Sequence, residues 1–210
     1  MLAAVPARER GMASDETGGQ AGDGPDLELL PGWLAPAAAE ALMRQLLQAL
    51  PWQVHRVRMF GREFDSPRRS CWIGDESAAY RYSGVLHAPH PWPAALASLR
   101  ERLAVETGTA FNSVLANLYR DGRDRMGWHS DDEPELGTRP LIASLSLGAT
   151  RRFLLRRRGD HARRLALDLP SGSLLLMRGQ TQAQWQHALP ATARPVGPRI
   201  NLTFRRIVPR

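Results

Sequence analysis

The second half of the chain is a succession of short apolar runs cut by glycine and proline. Residues 113–119 (SVLANLY), 141–147 (LIASLSL), 152–156 (RFLLR), 164–169 (RLALDL), 173–177 (SLLLM) and 199–207 (RINLTFRRI) each alternate in part with period two. That is the pattern of half-buried strands. Two helical patterns precede them. Over 36–50, Ala39, Leu42, Met43, Leu46, Leu47 and Leu50 recur at helical spacing, with Pro36 in the first turn and Pro51 as the stop. In WPAALASLRERLAVETG, Leu96, Leu99 and Leu103 share a face and Gly108 is the expected terminator. Early helices followed by many short strands predict an α+β domain, with the helices packed outside an antiparallel sandwich or barrel. No internal repeat is visible.

Chain length of 210 residues and 43% apolar content suit one compact domain with a tail. Residues 1–26 are the expected disordered tail, with two arginines against five acidic residues and no apolar periodicity. The rest carries 26 arginines against 16 acidic residues, so the folded part is more basic than the net +7 of the whole chain. A polyanionic partner is one reading of that surplus and a solvated basic surface the other. All 28 basic residues are arginine. Without lysine, Schiff-base chemistry and the P-loop are excluded, whereas bidentate phosphate recognition survives. The lone Cys71 forms no internal disulfide, and no apolar run approaches the roughly 20 residues that span a bilayer. A soluble intracellular protein is expected, cytoplasmic if bacterial and nuclear if eukaryotic, with no membrane partner.

The densest polar segment runs from Asn117 to Glu133 and contains His129 and Asp131. At spacing i, i+2 on an extended segment their side chains share a face. Of the other histidines, only His187 lies in the strand-rich half with apolar neighbours. Two histidines and one carboxylate form the facial triad of non-haem Fe(II) oxygenases. The pattern alone is equally that of a surface His–Asp pair and a core histidine. Arg199 and Arg205 stand six apart on a strand whose other face is Ile200, Leu202 and Phe204. Both point either to solvent at a strand edge or inward, where burial is costly without a carboxylate partner.

Together these motifs resemble the AlkB-type Fe(II)- and 2-oxoglutarate-dependent dioxygenases over residues from about 52 to 208. The resemblance rests on N-x-Y (Asn117, Tyr119), H-x-D (His129, Asp131), the distal His187, and R-x-N-x-T-F-R (Arg199, Asn201, Thr203, Phe204, Arg205). It implies a double-stranded β-helix (jelly-roll) core over 113–208 of a 27–210 domain. It also implies Fe(II) held by His129, Asp131 and His187, with O2 and 2-oxoglutarate as co-substrates. Asn117, Tyr119, Arg199, Asn201, Thr203 and Arg205 would form the 2-oxoglutarate pocket, Arg199 and Tyr119 meeting its distal carboxylate.

Within that family the likeness is to the branch that repairs alkylated bases in double-stranded DNA. Val57 to Arg62, with Phe60, Gly61 and Arg62, followed by Pro67, Arg68 and Arg69, resembles a wedge hairpin in which an aromatic enters the base stack. Tyr80, Arg81, Tyr82 and Ser83 resemble the lid of a flipped-base pocket, so 52–90 would be a nucleotide-recognition lid. Asp132 and Glu133 would lie near a cationic base such as 1-methyladenine or 3-methylcytosine. The implied reaction removes the methyl group as formaldehyde, with succinate and CO2 as co-products.

Read from the residues alone, Phe60 also fits a hairpin core, and Tyr80 and Tyr82 fit ordinary strand packing. Arg151, Arg152, Arg156, Arg157, Arg158, Arg163 and Arg164 form a basic hairpin, either a solvated face or a grip on a second DNA strand. Trp128 and Trp185 flank metal ligands or simply fill the core. Competing functions are the same chemistry on RNA or single-stranded DNA, a nucleic-acid-binding module with a vestigial iron site, and protein hydroxylation. A monomer is expected.

Overall fold

The computed structural model describes residues 24–59, 62–78, 80–82 and 85–208. In chain order the elements are β1 (Asp26–Leu30), α1 (Pro36–Ala49), β2 (Arg56–Met59), β3 (Arg62–Asp65), β4 (Arg69–Gly74), β5 (Tyr80–Tyr82), β6 (Val85–His87), α2 (Ala94–Thr107), β7 (Ser113–Tyr119), β8 (Met126–His129), β9 (Ile142–Gly148), β10 (Arg151–Arg157), β11 (Asp160–Leu169), β12 (Leu174–Arg178), α3 (Thr181–Gln184), β13 (Trp185–Leu189) and β14 (Arg199–Arg205). One sheet has the order β1-β12-β9-β14-β7-β4 and the other β11-β10-β13-β8. Pairing within both is antiparallel. These two sheets form the jelly-roll core, with helices on the outside as the sequence predicts.

Both faces of the central strands are covered, and their side chains sort by face. On β14, Ile200, Leu202 and Phe204 pack with Val114, Ala116 and Leu118 of β7 and with Leu42 and Leu46 of α1 and Leu96, Leu99 and Leu103 of α2. Each such leucine contributes roughly 1.5–3 kcal/mol by leaving water. The alternate residues of β7 and β14 turn toward the other sheet and line the site. Helix α1 has Pro36 in its first turn and stops at Leu50, whose extended backbone precedes Pro51. Helix α2 ends on Gly108, whose φ of 69° is the left-handed cap conformation and whose N–H closes on the Ala104 carbonyl. Asp75 ties the helix to the end of β4, accepting from Trp92 Nε1 just before the helix (2.7 Å) and from Arg100 Nη1 in its middle (3.0 Å).

Two boundaries differ from those predicted. Asp26, the last residue of the stretch read as tail, is already in β1, opposite Arg178 of β12, and its N–H donates to Thr181 Oγ1 (2.9 Å). Residues 1–23 of that stretch lie outside the described residues. The segment 52–90 is also not one unit: β4 within it pairs with β7 and is the edge of the six-stranded sheet. What remains are two hairpins, β2–β3 and β5–β6, on either side of β4 in the chain. Among the described residues, no helix is long and apolar enough to cross a membrane.

Candidate metal centre

Strands β8 and β13 are neighbours, and their register sets His129 opposite His187. The two imidazoles meet edge to face, with centroids 4.2 Å apart. Asp131 lies two residues on, just past the end of β8. There the chain is pinned from the α3–β13 segment: the Asp131 N–H donates to Gln182 Oε1 (2.9 Å) and Ser130 Oγ to the Trp185 carbonyl (2.8 Å). One candidate ligand atom from each of His129, Asp131 and His187 lies within 4.8 Å of the others.

Charge states in this cluster suit a metal. Burial works against an ionised Asp131, which is 3% exposed, but Arg205 and the two imidazoles outweigh it and hold the carboxyl at about 2. Burial, then the neighbouring His129, pushes His187 down to about 3, so its ring is neutral. His129 Nδ1 donates to the Gly127 carbonyl (2.8 Å), which leaves Nε2 on the Asp131 side, 3.9 Å from Oδ1. An ionised Asp131 carboxylate, a neutral His187 and a His129 ring oriented by its other nitrogen are forms in which these residues can ligate a metal. Two histidines and a carboxylate fit Fe(II), with coordination positions left for a co-substrate and O2.

The inward face of β14 continues the same cavity. Arg199, Asn201, Thr203 and Arg205 line it, across from Asn117 and Tyr119 of β7 and Ser144 of β9. At one end, Arg205 Nη2 donates to Asp131 Oδ1 (2.7 Å). At the other, Arg199 is 2% exposed and gives Nη2 to Ser146 Oγ and Asn201 Oδ1 (both 2.9 Å), while its buried Nε has no hydrogen-bond partner among the described residues. No carboxylate bonds Arg199 among the described residues, and burial pushes its guanidinium down to about 10. Asn201 Nδ2 donates to Thr203 Oγ1 (2.8 Å) and its Oδ1 also accepts from Ser144 Oγ (3.0 Å), which locks the row. A buried cation without a counter-ion among the described residues, six residues along β14 from the Arg205 that bonds Asp131, is suited to the far carboxylate of a ligand that reaches toward the metal.

Residues 26–205 match the model of the 2OG-Fe(II) oxygenase superfamily. The chain belongs to that superfamily. It is 41% identical over 190 residues to the human alpha-ketoglutarate-dependent dioxygenase alkB homolog 3, covering 86% of this chain and 66% of that protein. To the mouse DNA oxidative demethylase ALKBH2 it is 40% identical over 183 residues, covering 82% of this chain and 77% of the relative. The fold matches the structure of OsALKBH1 with a TM-score of 0.63 at 20% identity, over 87% of this chain and 98% of that one. The AlkB-type resemblance and the jelly-roll fold read from the sequence both hold.

For this superfamily member, the residues expected at the metal and the co-substrate converge on one cavity. The expected base-contacting residues are placed less uniformly. Asp132 is exposed and ion-pairs with Arg158. Glu133 is half-buried, its Oε2 has no hydrogen-bond partner among the described residues, and burial raises its carboxyl in spite of Arg205. Phe60, Gly61 and Ser83 lie outside the described residues. Arg62, Tyr80, Arg81 and Tyr82 are described as backbone in β3 and β5 only.

Several residues at the site were not anticipated. Arg68, read as a DNA-backbone grip, turns inward: its Nε donates to Asn117 Oδ1 (2.7 Å) and its Nη1 to Ser66 Oγ (3.0 Å). Gln182, which orients Asp131, carried no sequence signal. Arg151, grouped with the basic hairpin, is 3% exposed and bonds backbone carbonyls instead of facing solvent. Its parity was informative, since Arg151 alternates with Phe153 and Leu155 on the inward face of β10. Arg156 belongs to the other face, over the Trp128 ring at 4.3 Å.

Proposed function

We propose that the chain is a DNA repair dioxygenase that oxidatively removes N-alkyl groups from bases such as 1-methyladenine and 3-methylcytosine, in duplex DNA. Formaldehyde, succinate and CO2 are the products. The observation that carries this reading is the meeting of His129, Asp131 and His187 with the buried, counter-ion-free Arg199 in a single cavity. Bound Fe(II), with 2-oxoglutarate and O2, supplies the oxidising power that no side chain of the chain has.

The protein's own part is to hold and orient. His129, Asp131 and His187 hold the metal, and Arg205 keeps Asp131 ionised and aimed. Arg199, with Tyr119, Asn201 and Thr203, takes the distal carboxylate of 2-oxoglutarate. Asn117, held by Arg68, orients the end of the co-substrate near the metal. Leu115, Phe153 and Met177 wall the cavity and limit water. Glu133, with a carboxylate oxygen that no group among the described residues engages, stands where a cationic alkylated base gains from a negative charge, and Asp132 lies beside it.

The nucleic-acid part rests on the basic surplus outside the tail and on a relative named as a DNA oxidative demethylase. Phe60 to Arg62 act as the wedge and Tyr80 to Ser83 as the lid over the flipped base. The chain acts as a monomer in a reducing intracellular setting. The test is formaldehyde release from oligonucleotides carrying 1-methyladenine or 3-methylcytosine, offered as duplex DNA, single-stranded DNA and RNA with Fe(II) and 2-oxoglutarate. Release from duplex at least matching that from single strands supports the reading. Release from RNA or single strands alone overturns the duplex assignment, and release from none overturns the reaction.

A further inference from the structure

Arg151 opens β10 a few residues after Gly148, and Gly148 is the β9 partner of Arg199. Its guanidinium donates to the backbone carbonyls of Asp121 (3.0 Å), Asp124 (2.9 Å) and Pro190 (2.7 Å). Asp124 gives it only that carbonyl, because the Asp124 carboxylate accepts three bonds from Arg120. No carboxylate bonds Arg151 among the described residues. The same guanidinium lies 5.9 Å from the centre of the Tyr119 ring, which Arg199 overlies at 5.4 Å. Tyr119 and Arg199 face each other in the β7–β14 ladder. Two buried cations therefore converge on one buried tyrosine; among the described residues neither donates to a carboxylate, although the charges of Asp124 and Asp121 act on Arg151 from a distance.

We propose that Arg151 is a positioning and specificity-determining residue: acting through Tyr119, it sets the preference of the pocket for a 2-oxo acid with a second, distal carboxylate over one without. This rests on the reading that Arg199 and Tyr119 receive that carboxylate. Two like charges shielded from water raise the positive potential at their common neighbour, and carbonyl dipoles offset only part of it. An incoming carboxylate at Arg199 relieves both. A ligand lacking that group leaves Arg199 without a carboxylate and the shared positive potential at Tyr119 unrelieved, and is disfavoured. The three carbonyl bonds have a second effect: they tie the loop after β7 to the segment after β13, which stops Tyr119, the last residue of β7, from swinging out of the pocket.

The test uses the full chain loaded with metal and kept anaerobic, titrated calorimetrically with 2-oxoglutarate and with 2-oxopentanoate, the same carbon chain without the distal carboxylate. In Arg151→Gln, which keeps an amide donor and drops the charge, the Kd for 2-oxoglutarate is expected to rise about tenfold while that for 2-oxopentanoate stays within about twofold. Arg151→Lys, which restores the charge, is expected to recover most of the preference. Equal weakening of both ligands, or an unchanged preference in Arg151→Gln, overturns the proposal. Failure of both variants to fold also overturns it, by making Arg151 a clamp of the fold. Arg199→Met separates the two levels: if it retains the preference, the pocket reading itself fails. If it loses the preference while Arg151→Gln keeps it, only the role of Arg151 fails.

Discussion

Arg205 Nη2 donates to Asp131 Oδ1 at 2.7 Å, joining the last residue of β14 to the carboxylate that stands with His129 and His187. Both side chains are nearly buried, at 10% and 4% exposure, and Arg205 is the strongest charge holding Asp131 ionised. A buried ion pair adds little beyond an apolar replacement, but removing one member strands the other. Arg205→Met is therefore expected to destabilise the metal-free chain by roughly 3 kcal/mol. The double variant Arg205→Met/Asp131→Asn should lose less than the sum of the single variants. Urea denaturation of the four proteins measures this, and strict additivity would mean that the pair is not coupled.

The Arg68 contact gives a second, separable expectation. By holding Asn117 Oδ1 it fixes the direction of the Asn117 amide within the cavity. Arg68→Ala should weaken 2-oxoglutarate binding about fivefold, close to 1 kcal/mol, while metal affinity is unchanged. Calorimetry with the metal and then the co-substrate reads the two affinities apart. Equal loss of both would place Arg68 in the metal site or in the fold.

Much of this architecture is legible in the sequence, for a definite reason. β7 occupies 113–119 as read, because Val114, Ala116 and Leu118 alternate with residues of different character on the cavity side. β14 is as plain, with Ile200, Leu202 and Phe204 against four polar partners. β4 was hidden since it is buried almost throughout and shows no alternation, and it directly follows arginines that look like a phosphate grip. β1 was hidden because DLELL follows an acidic stretch and finds its partner about 150 residues later. At the site, His129 and Asp131 were found by spacing, although Asp131 is set by Gln182 and Arg205 beyond the end of β8. Long-range contacts of this kind, like that of Arg68 with Asn117, leave no local pattern.

Cys71 supplies a pH dependence away from the metal. Burial in β4 pushes its thiol up to about 11 from the usual 9.0. In the unfolded chain the thiol ionises first, so the folded state binds more protons between pH 9 and 11. The contribution of Cys71 to stability is present below pH 9 and is lost as pH rises toward 11. Cys71→Ala should flatten the decline of stability across that window, measured by denaturant midpoints at successive pH values. The native thiol should also resist alkylation at pH 8 and react at once in denaturant.

Removal of one metal ligand bears on the whole reading. Formaldehyde release from a duplex carrying 3-methylcytosine, with Fe(II), 2-oxoglutarate and air, is to be compared for the native chain and His129→Ala, alongside the iron content of each after anaerobic loading. The native chain is expected to bind one iron and release formaldehyde, and His129→Ala to do neither although it remains folded. Equal release from both proteins would contradict the assignment of His129, Asp131 and His187 as the iron site.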